Sequence, residues 1–245
     1  ADGELTDPGL PKGEPEIRTI NVIGAGRIGR DVASFVNASP GLRLGRVLRR
    51  NGGPDTTDPQ AFLATPADII VEAAGPAAFR ALGPEALARA DLWTVSASAL
   101  VNEEFRSQLD RVADQSRHQL RLFSPWLSGI GHGPYDPSGQ LEIRMMRPGI
   151  DESYSGPLRL AALFFPDDVN SAVAAALCGP GLERTSIDID DAGPHDAHRI
   201  EAELWCGVGH FKSSVEFHPD DPDIHPTAAA IIGALRSEMS NFRYG

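Results

Sequence analysis

Cysteine is scarce in this sequence. Only Cys178 and Cys206 occur among 245 residues, and neither belongs to a Cys-x-x-Cys pair or to a metal-type spacing of cysteine and histidine. The sequence therefore gives no sign of a disulfide framework, and we expect no metal site. A reduced, cytoplasmic compartment is the simplest expectation for such a chain.

Positive charge and long apolar runs are also in short supply. The chain has 22 Lys and Arg residues against 34 Asp and Glu residues, which gives a net charge of −12. An acidic surface repels a polyanionic backbone unless its positive charge is concentrated, so we expect no nucleic acid partner. Apolar runs such as 158–165 and 172–178 are too short to span a bilayer, and the first residues lack a basic, apolar signal sequence. We expect no membrane partner either.

Strands and helical patterns alternate through the first half of the chain. Residues 1–16 have no apolar periodicity and predict a flexible N-terminal arm. After them, short apolar runs are separated by segments with helical spacing, which is typical of a parallel sheet covered on both faces. The predicted strands are 20–23, 42–48, 68–72, 92–95 and 120–123. The pattern predicts an α/β fold, a Rossmann doubly wound parallel sheet, over residues 17–123.

The pattern changes after residue 123. A Pro/Gly-rich stretch is followed by further strand-like runs and one short helix, which predict a second, smaller α+β domain over residues 124–225. The predicted strands are 141–145, 158–165, 185–189, 200–205 and 211–217, and the helix is 169–178. In the last run, Phe211, Val215 and Phe217 alternate with polar residues, so one face of this sheet would stay open to solvent or to a partner. We expect this domain to bind substrate and to form a homodimer. Pro226 begins a final helix, and we expect residues 226–245 to pack back on the first domain.

The glycine cluster after the first strand predicts a nucleotide site. Gly24-Ala-Gly26-Arg-Ile-Gly29 has the spacing GxGxxG, follows a predicted strand and opens a predicted helix. The first glycine permits the tight turn, the second lets a diphosphate approach the backbone, and the third allows close packing of helix on strand. Exposed amides at the helix N-terminus then hold the anion. We expect cofactor contacts from Gly24, Gly26, Arg27, Ile28 and Gly29. The alternative is a glycine-rich turn without a ligand.

The end of the second strand bears on the choice between NAD and NADP. A site that prefers NAD usually places an acidic residue about 20 positions after the glycine turn. Arg49 and Arg50 stand there instead, and their guanidinium groups could pair with a 2′-phosphate. This favours NADP, with NAD as the alternative. The two arginines could also be solvated surface charges.

Two further strand ends would meet the nicotinamide side of the cleft. Ligands collect outside the carboxyl ends of parallel strands, and small residues follow the third and fourth predicted strands. From these we expect contacts by Ala74, Gly75, Ser96 and Ala97.

The order and spacing of five motifs resemble the L-aspartate dehydrogenase family, which is related by fold to homoserine dehydrogenase. The motifs are the glycine turn, Asp68-Ile-Ile-Val-Glu-Ala-Ala-Gly-Pro76, Val95-Ser-Ala-Ser-Ala-Leu100, Phe165-Pro-Asp-Asp-Val-Asn170-Ser-Ala-Val-Ala-Ala and His198-Arg-Ile-Glu201. The resemblance implies an NAD(P)-dependent oxidoreductase that reduces the imine of an oxo acid and ammonia, or oxidises the amino acid in reverse.

The resemblance also implies roles for single residues. It places His198 at the acid/base position, which suits a group whose ordinary pKa lies near neutrality. Asn170 matches the residue that contacts the nicotinamide. Ser128-Gly129-Ile130 best matches the Ser-Gly-Ala loop of the family, with Ser128 and Gly129 against substrate and Ile130 against the cofactor. Ser124-Pro125 is the alternative register.

Several positions depart from the family pattern. Asp167-Asp168 replaces Lys-Asn and makes the presumed pocket more acidic, while Trp126 and His132 add bulk to the loop that lines it. The motif Asn-Pro-Lys-Thr has become His225-Pro-Thr-Ala. We therefore expect an amino acid dehydrogenase or imine reductase for aspartate or a related amino acid, in a specialised biosynthetic pathway. The alternatives are non-redox chemistry, such as elimination or hydrolysis, and a non-catalytic nucleotide-binding protein.

Overall fold

The computed structural model describes residues 17–51, 56–124, 138–193, 197–217 and 223–240. The predicted arm of residues 1–16 lies outside these ranges. The described residues form two five-stranded sheets, each with its own helices and apolar core.

The first sheet is entirely parallel. Its strands are β1 (Arg18–Ile23), β2 (Leu42–Leu48), β3 (Ile69–Glu72), β4 (Asp91–Thr94) and β5 (Leu120–Leu122). They stand in the order β2-β1-β3-β4-β5, which confirms the predicted doubly wound sheet. The chain order reverses between β1 and β3. In open α/β sheets this switch point is where ligands bind, at the carboxyl ends of the strands.

Helices cover both faces of the first sheet. They are α1 (Arg27–Ala38), α2 (Pro59–Leu63), α3 (Pro76–Leu87) and α4 (Glu103–Ser116), with a 3₁₀ segment at Ala97–Val101, and the final helix of the chain is Pro226–Met239. Ile20 and Val22 of β1 pack in one core with α1 and the final helix, whereas Ile23 packs in the other core with α3 and α4. The two cores lie on opposite faces because successive side chains of a strand alternate.

The second sheet is mixed and, within the described residues, helices cover only one of its faces. Its strands are β6 (Gln140–Arg147), β7 (Tyr154–Pro157), β8 (Thr185–Asp191), β9 (Arg199–Cys206) and β10 (Gly209–Glu216), in the order β10-β9-β6-β8-β7. Helices α5 (Leu158–Phe164) and α6 (Asn170–Cys178), followed by a 3₁₀ turn at Leu182–Arg184, supply the rest of the core. The final helix is therefore α7. Leu141, Ile143 and Met145 face that core, and the residues between them are exposed. This arrangement confirms the predicted smaller α+β unit.

The prediction of a strand over residues 158–165 is wrong, because this segment forms α5. Leu158, Ala161 and Ala162 are buried at helical spacing, while Leu163 and Phe164 are 68% and 69% exposed. A continuous apolar run has no period of its own and cannot separate a buried strand from a short helix. The strand that the sheet uses is β7, just before it.

None of the helices within the described residues is both long enough and apolar enough to cross a membrane.

The glycine turn packs against its surroundings more tightly than a side chain would allow. Gly24 has a φ of +104°, and a Cβ there would lie 2.7 Å from the carbonyl oxygen of Ala73. A Cβ on Gly29 would lie 2.0 Å from the carbonyl oxygen of Gly24, which sets how closely α1 approaches the turn. At Gly26 the added atom would meet nothing within 4 Å.

We expect Gly29→Ala to lower the free energy of unfolding by at least about 2 kcal/mol, because the methyl group overlaps a backbone carbonyl that cannot swing away. Gly26→Ala is the matched control, since its φ is −68° and its Cβ position is open. It should stay within about 1 kcal/mol of the parent. Urea denaturation of the three proteins tests this, and equal midpoints for the two variants would contradict it.

Candidate active site

A cleft lies at the switch point of the first sheet. A cavity of about 630 Å³ opens beside the carboxyl ends of β1, β2 and β3. The sequence-predicted residues that line it are Gly24, Gly26, Arg49, Arg50 and Ala74. The fold thus brings the glycine turn and the two arginines to one cavity, although they belong to different strand ends.

The residues around this cavity fit a dinucleotide. Gly26 is the N-cap of α1 and provides no side-chain hydrogen bond, so amides in the first turn of α1 are left to an incoming acceptor. The open space above Gly26 lets a diphosphate reach the backbone. Arg27 and Ile28 begin α1, and Gly75, with a φ of +100°, is the N-cap of α3 on the other side of the switch point. The residues present therefore fit an anionic ligand.

A buried carboxylate lies directly beneath the turn after β3. Glu72 is completely buried, and its Oε1 accepts hydrogen bonds from the amides of Ala74 and Gly75 at 2.7 and 3.0 Å. Its Oε2 accepts a hydrogen bond from the Thr94 hydroxyl at 2.6 Å. Burial raises the pKa of Glu72, and the hydrogen bonds from Thr94 and the two amides oppose that rise.

Sequence reasoning assigned no role to Glu72. The sequence does contain a sign of its importance, since Glu72 is a single carboxylate at the end of an otherwise apolar strand. A carboxylate in such a position is costly to bury unless it is hydrogen-bonded.

The segment after β4 is hydrogen-bonded both to the side chain that binds this carboxylate and to the second unit. Thr94 Oγ1 accepts from the amide of Ser96 at 3.0 Å, and the amide of Ser98 donates to Asn170 Oδ1 at 2.9 Å. Asn170 Nδ2 in turn donates to the carbonyl oxygen of Asp167 at 3.1 Å. The predicted residue Asn170 is therefore joined to the first unit two residues beyond Ser96, through the amide of Ser98. The Ala97 side chain is buried in the second core, so any cofactor contact there would come from its backbone.

His198 stands immediately before β9, with its ring 5.2 Å from that of Phe217. Its Nε2 is buried and has no hydrogen-bond partner within the described part of the chain. Burial, and then the charge of Arg147, lower the pKa of His198 to about 4. The imidazole is therefore neutral at pH 7, so one of its ring nitrogens carries a lone pair.

The positive charge beside His198 comes from Arg147 at the end of β6. Arg147 forms an ion pair with Asp168 through Nη1. Burial lowers the pKa of Arg147, and Asp167 raises it. Sequence reasoning identified the acidic pair Asp167-Asp168 but missed Arg147. In the sequence, Arg147 is only an arginine at the end of a predicted strand. Its contact with Asp168 can be recognised only once the fold places β6 beside the loop before α6.

The other histidines that the structure describes occupy structural positions. His210 bonds Glu203 at 2.9 Å and stacks on Trp205, and His225 accepts a hydrogen bond from the amide of Thr227 at the start of α7. Several predicted or considered residues lie outside the described residues: Trp126, Ser128, Gly129, Ile130, His132, His195 and His218. Within the described ranges, no group of three or more His, Cys, Asp or Glu residues could hold a metal ion.

Two family models divide the chain between them. Residues 24–122 match the NAD-binding domain of homoserine dehydrogenase, and residues 139–238 match the C-terminal domain of aspartate dehydrogenase. The L-aspartate dehydrogenase of Methanopyrus kandleri is 30% identical over 213 residues, which cover 81% of each chain. This chain belongs to the L-aspartate dehydrogenase family.

Further members of the aspartate dehydrogenase family match over most of their length. L-aspartate dehydrogenase 2 of Bordetella bronchiseptica is 27% identical over 270 residues, covering 92% of this chain and 98% of the other. The crystal structure of aspartate dehydrogenase from Thermotoga maritima has a TM-score of 0.69 and 18% identity, covering 93% of this chain and 99% of that one. The latter comparison shows the shared fold.

Membership of this family confirms three expectations. The chain is an NAD(P)-dependent oxidoreductase that acts on CH–NH₂ groups, it uses a nicotinamide cofactor, and its substrate is a small molecule.

We expect Glu72→Leu to lower the free energy of unfolding by about 2 kcal/mol, because it leaves the buried Thr94 hydroxyl and the amides of Ala74 and Gly75 without their acceptor. Glu72→Gln is the matched control: its amide oxygen can still accept from Ala74 and Gly75, and its NH₂ group can donate to Thr94 Oγ1. The free energy of unfolding of Glu72→Gln should fall by less than half as much as that of Glu72→Leu. Urea denaturation measures both, and equal losses would show that shape rather than hydrogen bonding makes Glu72 necessary.

Proposed function

We propose that this protein is an NAD(P)-dependent amino acid dehydrogenase, or imine reductase, for aspartate or a related amino acid. The observation that carries the proposal is the neutral His198, which lies beside Arg147 and whose buried Nε2 meets no hydrogen-bond partner among the residues that the structure describes. The related enzymes from Methanopyrus and Bordetella are L-aspartate dehydrogenases, which supports the same reaction class.

The cofactor would lie along the carboxyl edge of the first sheet. The turn from Gly24 to Gly29 would hold the diphosphate, and Arg49 and Arg50 would take a 2′-phosphate, which favours NADP. Ala74, Gly75, Ser96, Ala97 and Asn170 would hold the nicotinamide end. When bound, the nicotinamide supplies the hydride for reduction or accepts it in oxidation.

His198 would move the proton that the reaction needs. In the direction of oxidation, water adds to the imine carbon and Nε2 of His198 accepts a proton from that water. The same nitrogen then gives this proton to the ammonia as it leaves. In the reverse direction the neutral Nε2 accepts the proton that ammonia loses as it adds to the oxo acid, and gives it to the hydroxyl group that leaves as water. A pKa of about 4 keeps the lone pair free at neutral pH, so His198 serves as a base without first losing a proton. Arg147 would bind the substrate carboxylate, since a guanidinium offers two parallel donors.

Nucleotide binding without catalysis would leave His198 unused. Non-redox chemistry could use the same base, but the related enzymes are named as dehydrogenases, which favours the redox reaction.

We also propose a homodimer formed through the uncovered face of the second sheet. That face presents paired charges, such as Arg199 with Glu216, next to the partly exposed Trp205. A twofold partner would cover them.

We expect His198→Asn to lower kcat for reductive amination by about 10²- to 10⁴-fold, with little change in the Kd of NADPH, because only proton transfer is lost. Loss of NADPH absorbance with ammonium and an oxo acid, each omitted in turn, measures the activity. His118→Asn, at the amino end of β5 and opposite the cofactor edge of the sheet, is the control and should stay near the parent. The proposed function fails if NADPH consumption by the parent does not depend on ammonium. It also fails if His198→Asn is fully active.

The pH profile is a second readout of His198. Because its pKa is about 4, kcat/KM for oxidation should show no loss attributable to His198 until the pH falls below about 5. Replacing Arg147 by Met removes a positive charge that lowers this pKa, so the acid limb should then move to higher pH.

We expect Arg49→Asp combined with Arg50→Ser to raise the Kd of NADPH at least about 10-fold while leaving that of NADH unchanged or lower, since the 2′-phosphate loses its cations. Fluorescence titration with each nucleotide measures this. Arg89→Ser, a surface arginine paired with Glu85 on α3, controls for net charge. An unchanged ratio of the two Kd values would show that Arg49 and Arg50 do not bind the phosphate.

A further inference from the structure

The charged groups around His198 carry an excess of negative charge. Arg147 is the described cation that acts on His198, and Asp168 already pairs with it. Asp167 acts on the same guanidinium. His198 itself is neutral at pH 7, so these three charged side chains sum to −1 before any substrate binds.

A further carboxylate lies at the same strand ends. Asp191 is the register partner of Arg147 in the β6–β8 pair, and its Oδ1 accepts a hydrogen bond from the amide of Gly149 at 3.1 Å. The carbonyl oxygen of Arg147 accepts from the amide of Ala192 at 3.2 Å, which fixes the two strand ends together. The backbone therefore keeps Asp191 close to the arginine.

This balance suits one carboxylate on the substrate but not two. Every amino acid has an α-carboxylate, and Arg147 can bind it with paired donors. A second carboxylate, as in aspartate, would approach Asp167 and Asp168 without a cation of its own, and like charges placed together disfavour binding.

On the basis of the proposed function, we propose that the substrate has a single carboxylate, held by Arg147, and a side chain that is uncharged or positively charged. Asp167 and Asp168 select against an anionic side chain. The substrate is then a relative of aspartate with a different side-chain group, rather than aspartate itself.

Three amino acids of nearly equal size test this charge preference: L-aspartate, L-asparagine and L-2,4-diaminobutyrate. With NADP⁺ or NAD⁺ as oxidant, kcat/KM for aspartate should be the lowest of the three, at least about 10-fold below that for asparagine. Raising the ionic strength should narrow this gap, because salt screens the repulsion. A preference for aspartate, or equal values for aspartate and asparagine, overturns the proposal.

Neutralising the acidic pair gives an independent measurement. Asp168→Asn should raise kcat/KM for aspartate at least about 10-fold and that for asparagine much less, since it frees Arg147 and removes one repelling charge. Asp110→Asn, on the exposed face of α4, is the matched control and should change neither value. If Asp168→Asn improves both substrates equally or neither, Asp168 does not set the preference.

A binding measurement separates failure of this inference from failure of the proposed function. If no amino acid is oxidised although NADP⁺ binds, the proposed function has failed. Calorimetry of the NADP⁺-loaded protein with succinate and with succinamate still measures the charge preference, because the two differ only in one carboxylate. Tighter binding of succinamate supports the preference; tighter binding of succinate, or no difference between them, overturns it.

Discussion

Glu72 connects the two strand ends on which the cofactor edge depends. One oxygen of its carboxylate holds the amides of the turn after β3, and the other holds Thr94 at the end of β4. A buried carboxylate is tolerated only when such donors surround it. The burial of Glu72 therefore depends on the turn after β3 and on Thr94, and the positions of these donors depend on Glu72. The open surface beside Gly24 and Gly26 keeps its shape because these donors are fixed beneath it.

The second unit contributes charge to an edge that the first unit shapes. Asn170 reaches the backbone of Ser98, and this bond places the loop of Asp167 and Asp168 against the first unit. From the other direction, β6 brings Arg147 to the same loop. His198 is neutral because it is buried next to a cation, and the cation is tolerated because carboxylates face it. Proton transfer and substrate charge are thus governed by the same few side chains.

The parts of this fold that follow from local pattern were predictable from the sequence, and the parts that depend on distant pairing were not. The glycine turn follows β1 and opens α1, and that neighbourhood is contained in about ten residues. The strand predicted over residues 158–165 was wrong because a continuous apolar run has no periodicity. The packing of Leu158 and Ala161 in the core of the second sheet is what favours a helix there. Nothing in the sequence places Arg147 beside Asp168, since the two are brought together by sheet order and by the path of the chain through α5.

Helix α7 ties a late part of the chain to the first unit. Ala228, Ile231 and Leu235 pack in the core of the first sheet, and Glu238 forms ion pairs with Arg18 and Arg121. In the other direction, Ala97 and Val101 from the segment after β4 pack in the core of the second sheet. Because each core needs residues from elsewhere in the chain, we expect the two units to unfold in one cooperative transition.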